Sequence, residues 1–157
     1  MKHFIFSSCF VLLVVIANGA QGATPPAAHK ELSKNLENGI EWAVHLRAEA
    51  KKGTKLDSKH LDEEIKGTMD ALSAMQTTAE KILRESPAEQ GEGHFQEMQK
   101  YQSAANLAAK KFIQAKEEVK PNYSAMKTAA VEILKNLEDA KHWHNLELSE
   151  IEHNPKD

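Results

Sequence analysis

The chain has 157 residues, a formal net charge of −3 and 27% charged residues. A mildly acidic chain without a block of five like charges lacks the clustered basic face that binds phosphate backbones, which argues against a nucleic-acid partner. The single cysteine, Cys9, cannot form a disulfide within the chain, so the stability of the fold must come from burial.

Residues 1–22 have the three-part layout of a secretory signal peptide. A short basic start precedes an apolar run at residues 4–17, and small residues follow. That run of about 14 residues is shorter than the roughly 20 that cross a bilayer, so we expect cleavage and not an integral membrane protein. The small residues favour a cut after Gly22, with a cut after Gly19 as the alternative. We therefore expect a secreted, extracellular, cysteine-free domain at residues 23–157.

Apolar residues then recur at alternating steps of three and four, which predicts four amphipathic helices and no strands. In chain order, these helices are expected at about residues 28–52, 58–85, 94–120 and 124–152. The stripes that define them are Leu32, Leu36, Gly39, Ala43, Leu46 and Ala50; Leu61, Ile65, Thr68, Leu72, Met75, Ala79 and Ile82; Met98, Tyr101, Ala105, Ala108, Phe112, Ala115 and Val119; and Met126, Ala130, Ile133, Leu137, Ala140, His144, Leu148 and Ile151.

Residues that start and stop helices agree with this periodicity. Gly53 is a stop signal for the first helix, and either Asp57 or Ser58 can cap the second. Either Asn122 or Ser124 can cap the fourth. Similar lengths and short connections predict an all-α fold, an up-down-up-down antiparallel four-helix bundle that follows the cleaved signal peptide.

The expected fourth helix contains the stretch K-H-W-H-N, with His142 and His144 on either side of Trp143. Residues two apart on a helix point about 200° away from each other, so these two imidazoles cannot share a metal ion there. His144 falls on the apolar stripe and His142 faces away from it. A buried histidine is more easily kept neutral, which makes His144 a candidate pH-sensitive residue.

Carboxylates are spaced to pair with three of the histidines. Asp139 precedes His142, Glu150 precedes His153 and Asp57 precedes His60, each by three residues. A di-iron bundle needs two inward-facing Glu-x-x-His units and two further glutamates, and this chain offers one such unit at its frayed end. We expect solvated helix-end imidazoles and predict neither a metal site nor a cofactor.

No catalytic motif is present in the sequence. The chain has no Gly-rich phosphate loop, no G-x-S-x-G turn and no cysteine nucleophile, and G-E-G-H-F-Q at residues 91–96 lacks the third glycine. Nothing pairs the serines and carboxylates as acid and base. We interpret the chain as not an enzyme.

Asn122, Tyr123 and Ser124 form an N-glycosylation sequon in the turn before the fourth helix. A glycan could be accommodated in such a turn if the source is eukaryotic. The same residues are also ordinary turn and cap residues, and both roles can hold together.

Two function classes remain. The first is a secreted, non-catalytic interaction protein of the kind found in body fluids and glandular secretions, with immune and reproductive roles among the options. The second is a bundle that opens to lay its apolar stripes on a lipid surface, which resembles exchangeable apolipoproteins in architecture. We favour the first because it demands less of the sequence, and we place metal carriage by the histidines third.

Overall fold

The computed structural model describes residues 26–91 and 93–153, and the expected signal peptide at residues 1–22 lies outside them. Within these ranges the chain is all-helical and forms no strand. The four helices are α1 (Pro26–Ala50), α2 (Ser58–Glu85), α3 (Gly93–Glu117) and α4 (Tyr123–His153), with short 3₁₀ helices at Gly53–Lys55 and Pro87–Gly91. The predicted helical fold class is confirmed, and the arrangement is consistent with a four-helix bundle.

The four helices pack around one apolar core. The most extensive contacts join α3 to α4 and α1 to α2, α1 also packs on α4, and α2 and α3 make the smallest of these four interfaces. The largest fully buried side chains are Phe95, Phe112, Leu32, Leu36, Leu46, Leu61, Leu72, Met75, Ile82, Met98, Met126 and Ile133. None of the helices in the described part of the chain is long and apolar enough to span a membrane.

Both ends of α1 lie two residues before their expected positions. The helix begins at Pro26, a residue type that suits a first helical turn because no N–H is needed there. It ends at Ala50, after which the Lys52 N–H donates to the Glu49 carbonyl at 3.0 Å. Gly53 then adopts a positive φ of 58°, a conformation that glycine enters without strain, and the chain turns towards α2.

Asp57, and not Ser58, caps α2. Its Oδ1 accepts hydrogen bonds from the Lys59 N–H at 2.9 Å and the His60 N–H at 3.3 Å. These bonds satisfy backbone donors that have no partner within the helix, and they hold the pKa of the Asp57 carboxyl below its usual range. The Asp57 N–H in turn donates to Glu49 Oε1 at 2.8 Å, which ties the start of α2 to the end of α1.

The expected stripe of the third helix is wrong at its last position. We expected α3 to reach residue 120 with Val119 on its apolar face, but α3 ends at Glu117 and Val119 is fully exposed. The reason is the turn that follows α3, because the N–H of Asn122 folds back to the Ala115 carbonyl at 2.9 Å and satisfies it without another helical turn.

Asn122 caps the start of α4. Its side-chain Oδ1 accepts from the Ala125 N–H at 3.1 Å, and its carbonyl accepts from the Met126 N–H at 2.9 Å. Near the other end of α4, the expected stripe has to be corrected, because Glu147 is buried and Leu148 is only half-buried. Ala140, His144 and Glu147 continue the alternation of four and three that keeps one face of a helix against its neighbours.

Candidate functional site

Four ionisable side chains are buried where the start of α1, the Pro87–Gly91 turn and the last part of α4 meet. They are His29, Glu89, His144 and Glu147, each at most 5% exposed, and we call them the polar cluster. Charged and imidazole groups are costly to bury, because each loses its hydration and must be compensated by the protein. The polar cluster is therefore the most unusual feature of the core.

His29 and His144 stack on each other at the centre of this cluster. Their ring centroids are 5.4 Å apart and the ring planes differ by 6°. Both residues are almost completely buried, at 1% and 0% exposed. The stack joins the first turns of α1 to the last part of α4, so it forms part of the α1–α4 interface.

The hydrogen bonds of His144 fix its tautomer. Its Nε2 lies 3.1 Å from the His29 carbonyl oxygen and 3.1 Å from Ser33 Oγ. Because a carbonyl oxygen only accepts, Nε2 carries the proton and donates. Nδ1 is then the unprotonated nitrogen, and it has no hydrogen-bond partner.

Burial lowers the pKa of His144 from its usual 6.5 to about 4. Loss of hydration is the largest cause, since it penalises the charged imidazolium. The hydrogen bond to the His29 backbone and the charge of Glu89 act in the opposite direction, while a charge on His29 would act in the same direction as burial. His144 is thus neutral at physiological pH.

Glu89 is placed beside His29. The His29 Nε2 and Glu89 Oε1 atoms are 3.6 Å apart, within ion-pair distance but too far for a good hydrogen bond. Neither ring nitrogen of His29 makes a hydrogen bond. The position of Glu89 allows its carboxylate to compensate a charge on His29 but not to hold the ring in one orientation.

A second histidine–carboxylate contact lies on the neighbouring surface. His94 Nδ1 of α3 is 3.2 Å from Glu150 Oε2 of α4, and the His94 ring packs on Trp143 with centroids 5.4 Å apart. Within the described ranges, His94, Glu147 and Glu150 are the one group whose ligand atoms lie within 4.8 Å of each other, close enough to hold a divalent cation. Because the Glu150 side chain is 58% exposed, an ordinary surface ion pair between α3 and α4 accounts for this contact equally well.

The structure brings together some of the histidines singled out in the sequence and separates others. His144 is buried on the predicted face, and His142 is exposed with its ring edge against Trp143. Glu150 contacts His94, whereas its expected partner, the side chain of His153, lies outside the described residues. His60 approaches Glu63 at 3.7 Å, and the Asp57 carboxylate meets His60 at its backbone N–H.

Sequence reasoning missed His29, Glu89 and Glu147. A signal existed for His29, which lies three residues before Leu32 and seven before Leu36, so the first apolar stripe extends back to it. No comparable signal marks Glu89, because it lies in a turn whose position against α1 depends on the tertiary fold.

Asn122, the predicted glycosylation site, is exposed at the start of α4. It borders an open surface depression of about 520 Å³ that is also lined by Lys111, Ser124, Thr128 and Glu132. In the core, the void beside Leu46, Phe112 and Ile133 measures about 10 Å³, room for a single water. Comparison of the chain with protein-family models, curated proteins and solved structures gave no match.

Proposed function

We propose that this protein is a secreted, non-catalytic interaction protein that meets its partner at its outer surface. The observation that carries this proposal is the close packing of the core beside Leu46, Phe112 and Ile133, where the void of about 10 Å³ is far smaller than the roughly 300 Å³ at which small-molecule pockets begin. The four side chains of the polar cluster are each at most 5% exposed. A partner is therefore expected on the exposed helix faces.

We further propose that the helices follow the up-down-up-down order. Three sets of contacts support it, because residue numbers rise along one helix while they fall along its neighbour. These contacts are Glu31–Lys81 and Asn35–Thr78 between α1 and α2, Glu37–Lys141 and Ser33–His144 between α1 and α4, and His94–Glu150 and Lys111–Glu132 between α3 and α4. In this arrangement each helix presents a separate outer face to solvent.

Apolar side chains on these outer faces are the first places to search for a contact. Val44, Leu107 and Val131 are 41%, 57% and 44% exposed. A photo-crosslinking residue at Leu107 would be tested in the extracellular fluid or culture medium of the source. Thr77, an exposed polar residue of α2, is the matched position for comparison.

The proposal predicts a crosslinked species of one discrete mass from Leu107 and little or none from Thr77. Positions at Val44 and Val131 would then show which helix faces share the contact. Equal, diffuse labelling from all four positions would contradict a specific surface contact.

The second candidate is the lipid-binding bundle, and the small α2–α3 interface favours it. The two most extensive interfaces join α1 to α2 and α3 to α4, so separation of α2 from α3 disrupts the smallest of the four helix–helix interfaces. This candidate differs from the first in that the bundle must open. Binding to vesicles distinguishes the two.

A further inference from the structure

The stacked pair His29–His144 consists of two imidazoles, which can take up protons, and binding at the outer surface does not require that property. We propose that this pair is an acid-sensitive latch, which holds the start of α1 against the end of α4 while His144 is neutral and releases it when His144 is protonated. The inference goes beyond the proposed function and holds whether the partner is a protein or a lipid surface. It rests on the stack, its burial and the hydrogen bonds of His144.

The neutral form of the pair is well suited to the closed structure. The Nε2–H of His144 donates to the His29 carbonyl and lies at the same 3.1 Å distance from Ser33 Oγ, so a side chain of α4 bonds two residues of α1. Two neutral imidazoles 5.4 Å apart stack without charge repulsion. The contact with the His29 carbonyl is buried and that with Ser33 Oγ is part-buried, and a hydrogen bond away from water is stronger than one in water.

Protonation removes these advantages. A second proton on His144 must go to Nδ1, which is buried and has no hydrogen-bond acceptor. A charged N–H without an acceptor costs far more in the interior than in water. If His29 is also charged, two like charges lie 5.4 Å apart in a poorly screened environment and repel each other.

The neighbouring groups do not offset the cost of protonating His144. The Pro87–Gly91 turn contributes Glu89, which is beside His29, and α3 contributes His94, which pairs with Glu150. The residue after α2, Ser86, is buried and does not ionise. On α4 itself, Glu147 lies one turn beyond His144. With these neighbours present, burial still dominates and the pKa of His144 is lowered to about 4.

The opening should be local, and the chain offers a direct test of that. Residues 23–157 contain no cysteine, so an introduced thiol is unique after signal cleavage. Ala28→Cys places a buried thiol beside His29, and Ala115→Cys places one beside the α3–α4 turn, away from the polar cluster. A dithiopyridine reagent, which reacts in acid as well as at neutral pH, would measure the accessibility of each thiol.

We expect the thiol of Ala28→Cys to react at least ~10-fold faster at about pH 5 than at about pH 7.5, once each rate is normalised to that of the unfolded chain. The reason is that the equilibrium constant for opening rises by up to about tenfold per pH unit when one proton is bound on opening. The thiol of Ala115→Cys should show no such acceleration. Adding His144→Leu to Ala28→Cys should abolish the acceleration, and adding His142→Leu should leave it intact. His144→Gln, which keeps a side-chain N–H donor but cannot be charged, replaces the leucine variant if circular dichroism shows that variant to be misfolded.

Three outcomes would overturn the latch. One is a labelling rate at Ala28→Cys that does not depend on pH in the otherwise unchanged protein. Another is equal acceleration at both thiols, which would mean that acid unfolds the bundle globally. The third is loss of the acceleration on His142→Leu as well, since an exposed ring two residues away would then matter as much as the buried one.

Discussion

His142 and His144 flank the same tryptophan, yet the helix turns one ring into solvent and the other into the core. The burial of His144 is what lowers its pKa to about 4, because the charged ring would lose its hydration there. An imidazole with a folded pKa below its unfolded value of 6.5 binds fewer protons in the folded state. Folding therefore releases a proton between the folded and unfolded pKa values, so the free energy of unfolding depends on pH in that interval.

Replacement of His144 by Leu should flatten the pH dependence of stability. In the wild type, the contribution from neutral His144 is fully present above the unfolded pKa of 6.5 and is lost as pH falls towards the folded pKa of about 4. Thermal melts from about pH 7.5 to about pH 5 would therefore show a smaller fall in Tm for His144→Leu than for the wild type. His142→Leu is the matched control and should fall in parallel with the wild type.

Gly67 faces the indole ring of Trp42 at a contact that leaves no room for a methyl group. A Cβ on Gly67 would overlap three ring carbons of Trp42. Gly67→Ala should therefore destabilise the protein by about 1–3 kcal/mol despite the better helix propensity of alanine. Gly93→Ala, where a Cβ would meet nothing within 4 Å, should be neutral or slightly stabilising. An equal change in the free energy of unfolding of both variants, measured by urea denaturation, would contradict this contact.

At the level of the helix, the turn before α4 serves as a helix cap and as a glycosylation sequon, and mutations can separate these two roles. Ser124→Ala removes the sequon and keeps the Asn122 cap, whereas Asn122→Asp removes the sequon and keeps a capping side chain. Asn122→Gln removes the sequon and replaces a favoured capping residue.

In a eukaryotic host, all three variants should lose a mass shift that a glycosidase removes from the wild type. Only Asn122→Gln should also lower the free energy of unfolding of the deglycosylated protein, by about 1 kcal/mol. Absence of the shift from the wild type would leave Asn122 with the capping role alone.

The helices themselves could be predicted because their signals are local. Apolar periodicity identified four helices, and helix-stop residues located the turns to within a few residues. The errors arise where a contact from outside the segment decides the outcome. Asn122 folds back onto Ala115 and ends α3 before Val119 reaches the core, and the helix buries Glu147 where the stripe predicted Leu148.

At the scale of the whole molecule, the polar cluster draws its members from parts of the sequence that lie far apart. His144 was identifiable as a buried position, since it continues an apolar stripe. Its contact with His29, 115 residues away, and the approach of Glu89 depend on how α1, α4 and the Pro87–Gly91 turn pack together. No pattern within one helix carries that information, which is why the sequence indicated a candidate residue but not the site.

We propose that the protein acts through its outer surface while the bundle stays closed. The test is tryptophan emission and circular dichroism at about pH 7.5, where His144 is neutral, with and without neutral or anionic vesicles in large excess. Trp42 and Trp143 are both half-buried against the core, so exchange of helix contacts for lipid contacts would change their emission. We expect unchanged emission and unchanged helicity in both lipids. A blue shift of the emission with retained or increased helicity would contradict it and favour the bundle that opens onto lipid.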